Sequence, residues 1–186
     1  MASGSHETEI KLAVSGVREG RRLLRQAGFR VVKRRLFESN TLFDTARLTL
    51  RNARRLLRVR ETGGKTKLTF KGTPLISRHK SREELELSIE DARLFAAILD
   101  RLGYRPTFRY EKYRTTYGEP GVSGEAVLDE TPIGVYLELE GSPRWIDRTA
   151  RRLGFGEPDY ITASYGRLYL DWCRERGVEP KDMLFR

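Results

Sequence analysis

The sequence has few of the residues that would announce a chemistry at once. Among 186 residues there are one cysteine, two histidines and two methionines. A lone Cys173 excludes an internal disulfide and any multi-cysteine metal site, and it suits a reducing compartment. It reads as a packed helix residue. No apolar run approaches the roughly 20 residues of a membrane span. Met1–His6 has no hydrophobic signal-peptide core, so a cytoplasmic protein without a membrane partner is expected. Residues 2–6 carry no assignment. His6 falls off the charged strand face described below and His79 falls in a loop. Neither has a partner that suggests a catalytic pair, so both read as incidental.

What is present is charge. The chain carries 36 Lys+Arg against 26 Asp+Glu, a net +10. Such a surplus predicts an anionic partner, with nucleic acid the usual first candidate. Aromatic residues at 10% argue against disorder. The length fits one domain with a real core.

Helices are expected over residues 17–27, capped by Ser15 and stopped by Gly28, and over residues following Asp91, with Leu94, Phe95, Ile98, Leu99 and Leu102 on one stripe. Two more begin at Ser142-Pro143 and at Ser164. Strands are expected over 29–43, 56–61, 65–71, 80–89, 105–117, 125–129 and 133–140, with Gly63-Gly64 and Glu130-Thr131-Pro132 as hairpin turns. With the opening strand this makes about eight strands and four helices, mostly antiparallel neighbours. The class is therefore α+β.

The opening strand organises the rest. In Glu7-Thr8-Glu9-Ile10-Lys11, alternation puts Glu7, Glu9 and Lys11 on one face and the apolar residues on the other. Two carboxylates about 7 Å apart along a strand suit a divalent cation, which takes hard oxygen ligands. The same alternation recurs. Arg58 and Arg60 oppose Leu57 and Val59. Lys65, Lys67 and Lys71 oppose Leu68 and Phe70. Arg82, Glu84 and Glu86 oppose Leu85 and Leu87. Lys112 and Arg114 flank Tyr113, and Glu138 and Glu140 flank Leu139. One reading is a sheet with a wet face. The other is a closed sheet whose charged faces meet inside, which would repel itself without an anion and so forms a receptor for a polyphosphate with its metal.

The motifs are similar to those of the CYTH family, within the triphosphate tunnel metalloenzymes. They run in order: His6-Glu7-Thr8-Glu9-Ile10-Lys11, Leu42-Phe43-Asp44-Thr45, Leu57-Arg58-Val59-Arg60 and Leu68-Thr69-Phe70-Lys71-Gly72. Then come Arg82-Glu83-Glu84-Leu85-Glu86, Glu111-Lys112-Tyr113-Arg114, Leu128-Asp129-Glu130, Tyr136-Leu137-Glu138-Leu139-Glu140-Gly141 and Ser164-Tyr165. The resemblance implies an eight-stranded antiparallel β-barrel tunnel with helices packed outside, spanning 6–176 as a single domain with 177–186 as a C-terminal tail. It implies a triphosphate-containing small molecule as partner and Mg²⁺ or Mn²⁺ as cofactor. A homodimer stays open, and the concave charge argues against a nucleic-acid surface.

By that resemblance Glu7, Glu9, Glu138 and Glu140 bind metal, with Asp129 as a weaker addition. Lys11, Arg58, Arg60, Lys71, Lys112 and Arg114 hold phosphates, and Lys67 can share the role of Lys71. Glu7, Glu9 and Lys11 form the catalytic set. Arg82 either contacts phosphate or orients Glu84 and Glu86, and orienting is favoured. Much of the net charge should then sit in the tunnel. The family includes thiamine triphosphatases, inorganic triphosphatases and class IV adenylate cyclases. Hydrolysis of a triphosphate is the leading expectation because it demands fewer special residues. Conversion of ATP to cyclic AMP and pyrophosphate is the alternative, and a non-catalytic binder of polyphosphate or triphosphate RNA is the third. A base pocket would draw on Tyr104, Phe108, Tyr110 or Tyr136, each of which also reads as core.

Overall fold

A computed structural model describes residues 5–186. The first four residues, part of the stretch read above as lacking a signal-peptide core, lie outside the described residues. The opening strand β1 (Ser5–Val14) leads into α1 (Val17–Gln26). Ser15 does not cap α1. Gly16 takes the cap position, and Ser15 instead donates from its N–H and its hydroxyl to Glu19 Oε2, at 2.7 and 2.6 Å. The long β2 (Arg30–Thr45) is followed by a single helical turn, α2 (Thr49–Asn52), which the sequence reading lacked. Its signal was Asp44, whose carboxylate accepts from the N–H groups of Leu50 and Arg51.

Strands β3 (Leu56–Thr62) and β4 (Lys65–Lys71) form the expected hairpin. A two-residue β5 (Leu75–Ile76) precedes β6 (Lys80–Ile89). Helix α3 (Ala92–Arg101) is capped by the Asp91 side chain. Then come β7 (Tyr104–Gly118), β8 (Glu125–Thr131) and β9 (Gly134–Glu140). Helices α4 (Pro143–Arg152) and α5 (Tyr165–Arg176) are capped by Ser142 and Ser164, as their sequences predict. Among the described residues there are thus five α-helices rather than four.

The ring order is β1-β9-β8-β7-β2-β3-β4-β6, closed by antiparallel pairing of β6 with β1. This is an eight-stranded antiparallel barrel, with β5 a short addition on β6. Closure abolishes sheet edges. It also forces the period-2 pattern to choose which face goes inside, and here the charged face does.

The apolar cores therefore lie outside the barrel. Leu12, Leu128, Leu137 and Leu139 on the outer faces of β1, β8 and β9 pack against Leu24 of α1 and Trp145 and Ile146 of α4. The helix comes so close that a Cβ on Gly20 would sit 2.5 Å from Leu128 Cδ1. A second cluster, Tyr110, Tyr165, Tyr169, Cys173 and Met183, packs beneath α5. Met183 belongs to the C-terminal segment. That segment hydrogen-bonds along β7, with Met183 N–H donating to Arg109 O and Glu111 N–H donating to Met183 O. Helix α3 departs from the expectation that its stripe is packed: Leu94, Ile98 and Leu102 are exposed and only Leu99 is buried. Among the described residues no helix is long and apolar enough to cross a membrane.

Candidate active site

The barrel encloses a cavity of about 510 Å³. Exposure rises along it. At one end Lys11, Lys112, Asp129 and Tyr165 are buried, and the first turn of α5 lies against the cavity through Ser164, Tyr165 and Gly166. At the other end Lys33, Lys65, Lys67, Glu86 and Glu125 reach solvent. Twelve cationic and eight anionic side chains line it.

All fifteen side chains proposed from the sequence lie on the barrel's inner face; Asp129, the most deeply placed, sits behind the cavity wall. Most of these charges pair with one another. Glu9 Oε1 accepts from Lys80 Nζ at 2.9 Å and lies 3.5 Å from Lys11 Nζ. Lys11 Nζ is also 3.3 Å from Glu138 Oε2. Lys71 Nζ donates to Glu7 Oε2 at 3.0 Å and also meets Glu84. Asp129 is the hub of the buried end. It accepts from Lys112 Nζ at 2.9 Å, from Arg114 Nε and Nη2 at 2.7 and 2.6 Å, and from the Tyr165 hydroxyl at 2.7 Å. With four donors on two oxygens, Asp129 acts here as an anchor for two cations rather than as a ligand awaiting one.

Three residues that sequence reasoning missed complete the wall. Lys80 opens β6, in phase with Arg82, and that parity was its signal. Glu38 and Asn40 come from β2: Arg60 Nε donates to Asn40 Oδ1 at 3.0 Å, and Glu38 Oε1 lies 3.4 Å from Arg60 Nη1. Arg82 corrects an expectation. Among the described residues no carboxylate lies within ion-pair distance of it, so it does not orient Glu84 or Glu86. Lys71 holds Glu84 instead, and Lys67 holds Glu86 at 2.8 Å. The reason is register: Arg82 pairs with Glu7 across the closing seam, while Glu84 faces Lys71 across β4.

His79 also differs from expectation. It is buried, and its Nε2 lies 2.7 Å from Asp147 Oδ1 of α4, which the Tyr160 hydroxyl also approaches at 3.2 Å. This cluster pins the loop before Lys80 to the outer helix layer. Three of the four base-pocket candidates pack in the aromatic cluster under α5: Phe108 stacks between Tyr110 and Tyr169, and Tyr136 meets Tyr165 edge-on, while Tyr104 lies outside that cluster and half-buried.

The electrostatics divide the carboxylates in two. Burial alone would raise the Glu9 carboxyl, but Lys11, then Lys80 and Lys71, bring it down to about 2 against the push of Glu138. Glu138 is likewise held well below its ordinary value, burial being outweighed by Lys11, Arg114 and Lys112. Glu140 goes the other way. Burial, then the nearby Glu7 and Glu138, push it up to about 8, and among the described residues no cation pairs with it. Glu84 is pushed up to about 7 by burial and by its hydrogen bond with Glu7. Carboxylates crowded until they prefer a proton are those whose charge lacks a partner. Among the described residues no three acidic, His or Cys side chains converge closely enough to hold a metal ion as they stand.

A model of the CYTH domain matches residues 5–165. The chain belongs to the CYTH family. It is 30% identical over 137 residues to a candidate adenylate cyclase from Methanocaldococcus jannaschii, covering 73% of this chain and 77% of that one. Among solved structures, a Pyrococcus horikoshii protein superposes with a TM-score of 0.75 at 23% identity, over 89% of this chain and 98% of that one. A candidate adenylyl cyclase from Hippeastrum, described as having a dominant triphosphatase activity, gives 0.63 at 20% identity, over 94% and 97%. The CYTH barrel explains why the polar face lies inside.

The tunnel does not hold all of the surplus charge. Its twelve cations exceed its eight acids by four, against a net +10 for the chain. Much of the remainder lies outside the barrel.

Proposed function

We propose that this CYTH protein hydrolyses a triphosphate-containing small molecule to a diphosphate and phosphate, with Mg²⁺ or Mn²⁺. The observation that carries hydrolysis over cyclisation is the make-up of the exposed end. Its lining is Lys, Arg, Glu and Thr with Leu36, and no aromatic ring. The two tyrosines of the tunnel, Tyr110 and Tyr165, sit at the buried end. A nucleobase at the mouth would find no aromatic ring to stack on, whereas a chain of phosphates finds donors along the whole length.

Lys11, Arg58, Arg60, Lys71, Lys112 and Arg114 bind phosphate oxygens, and the buried, low-dielectric setting strengthens each contact. Arg58 Nε is buried without a hydrogen-bond partner in the ligand-free tunnel, which suits an incoming acceptor. Asp129 holds Lys112 and Arg114 in place. Glu7, Glu9, Glu138 and Glu140 would hold the divalent cation, which when bound polarises phosphate oxygens and lowers the pKa of water. For this the ion pairs must exchange partners: lysines move to phosphate as carboxylates are freed. Fixed cations around the terminal phosphoryl supply positioning and charge stabilisation, the main requirements of phosphoryl transfer.

The relative from M. jannaschii favours a second reading, cyclisation of ATP. A panel of inorganic triphosphate, thiamine triphosphate and ATP with each metal separates the two. Phosphate release is expected. Pyrophosphate with cyclic AMP would replace hydrolysis by cyclisation, and tight binding with no product would leave a binder.

A further inference from the structure

The described residues form a second concavity besides the tunnel. A groove of about 970 Å³ lies on the outer face of the barrel between α1 and the start of β2. One wall is α1, which turns Arg18, Arg21 and Arg25 to the same side by its i, i+3, i+7 spacing. The other is β2, with Arg30 and Arg34. The floor is Val31, with Phe29, Tyr117 and Thr115 buried beneath it.

Three features set this groove apart from a solvated arginine face. First, the charge is of one sign. The groove is lined by six arginines and no acid. Arg35 is spoken for, donating to both oxygens of Glu130 at 2.9 Å. Among the described residues no carboxylate comes within ion-pair distance of the other five. Guanidinium groups gathered over an apolar floor repel one another, and an anion relieves this. Second, the floor is unfinished. Strand β3 pairs with β2 only from Glu38 onward, so the stretch before it has no strand beyond its edge. No helix covers Val31, which is 52% exposed. The Thr115 hydroxyl is buried without a hydrogen-bond partner. Third, Arg34 also lines the tunnel, so the groove adjoins its exposed end.

We propose that this groove is a second anion site, distinct from the tunnel, for a phosphorylated ligand of the nucleotide class. The arginine rails take the phosphates in bidentate contacts. The planar base lies on the apolar floor against guanidinium faces, a stacking surface that does not require exposed aromatic rings. An inorganic phosphate chain would use the rails and leave the floor empty, so the organic body is what the floor selects.

The test is calorimetric titration of the full chain with ADP, in chelator so that no turnover occurs. Three variants are compared with the unmodified protein: Arg21→Gln combined with Arg25→Gln in the groove, and Lys112→Met and Arg60→Gln in the tunnel. The expected result is ADP affinity lowered at least tenfold in the groove variant and unchanged in a tunnel variant. The groove variant should keep its full thermal shift with inorganic triphosphate, which verifies its fold and tunnel. Arg60→Gln serves if Lys112→Met does not fold. The proposal is overturned if ADP affinity falls in the tunnel variants and not in the groove variant, or if ADP does not bind. It is equally overturned if diphosphate binds the groove as tightly as ADP, or if a single-stranded oligonucleotide binds at physiological salt where ADP does not.

Discussion

Lys80 Nζ stands 2.9 Å from Glu9 Oε1, so a lysine occupies the carboxylate proposed above to meet a metal. Both groups respond: Glu9 falls to about 2, and burial, opposed by Glu9 and aided by Lys11 and Arg82, brings Lys80 down to about 8. On the proposed reading, this ion pair exchanges partners when metal and phosphate bind.

Glu9→Gln should abolish turnover while leaving the protein folded, because the carboxylate serves the cation and not the apolar core. Loss of at least about a hundredfold in kcat is expected, the scale of removing one transition-state contact. Far-UV dichroism and the melting curve check the fold. Turnover at the unmodified rate with the same Mg²⁺ dependence would remove Glu9 from the metal site.

Binding of metal with triphosphate should release protons near pH 7.5. Glu140 at about 8 is mostly protonated there and Glu84 at about 7 only in part, and a divalent cation displaces those protons. Calorimetry in buffers of different ionisation enthalpy reads the number released. Equal heats in all buffers would contradict it.

Stability against pH has a definite sign for each group. Glu9 has its folded pKa depressed from 4.5 to about 2. Its contribution is present above pH 4.5 and lost as pH falls toward 2, on the order of 3 kcal/mol. Glu140 has its folded pKa raised to about 8. The folded state binds the extra proton, so this contribution is lost as pH rises from 4.5 through 8. Urea unfolding of Glu140→Gln should therefore be less pH-dependent than that of the unmodified protein between those limits. Identical slopes would show that Glu140 ionises freely.

Asp129→Asn should cost stability more than any other single change in the tunnel, about 3–5 kcal/mol, because it leaves Lys112 and Arg114 buried without their partner. Chemical denaturation measures it. A loss below about 1 kcal/mol would mean that Glu38 and Glu138 suffice to hold both cations.

The barrel was legible because alternation survives closure. Glu7, Glu9 and Lys11, or Arg58 and Arg60, share a face whatever their neighbours are. What parity cannot supply is the stagger between strands. It therefore placed Arg82 inside but gave it the wrong partners. Glu38 was lost for a local reason: β2 has irregular register between Val31 and Leu36, which interrupts the count before it reaches Glu38. His79 and Asp147 lie 68 residues apart and meet only because α4 packs over the closing seam. The arginines of α1 were visible as charge, but nothing in their spacing says that the facing sheet is left uncovered.

The depth gradient along the barrel has a consequence for traffic. Lys11 and Lys112 lie far from solvent, whereas Lys33, Lys65 and Lys67 stand at the exposed end. On the proposed reading, a linear substrate arriving from that end presents its terminal phosphate to the depth of Lys112 and Arg114, and the longer fragment stays nearer the way it came in.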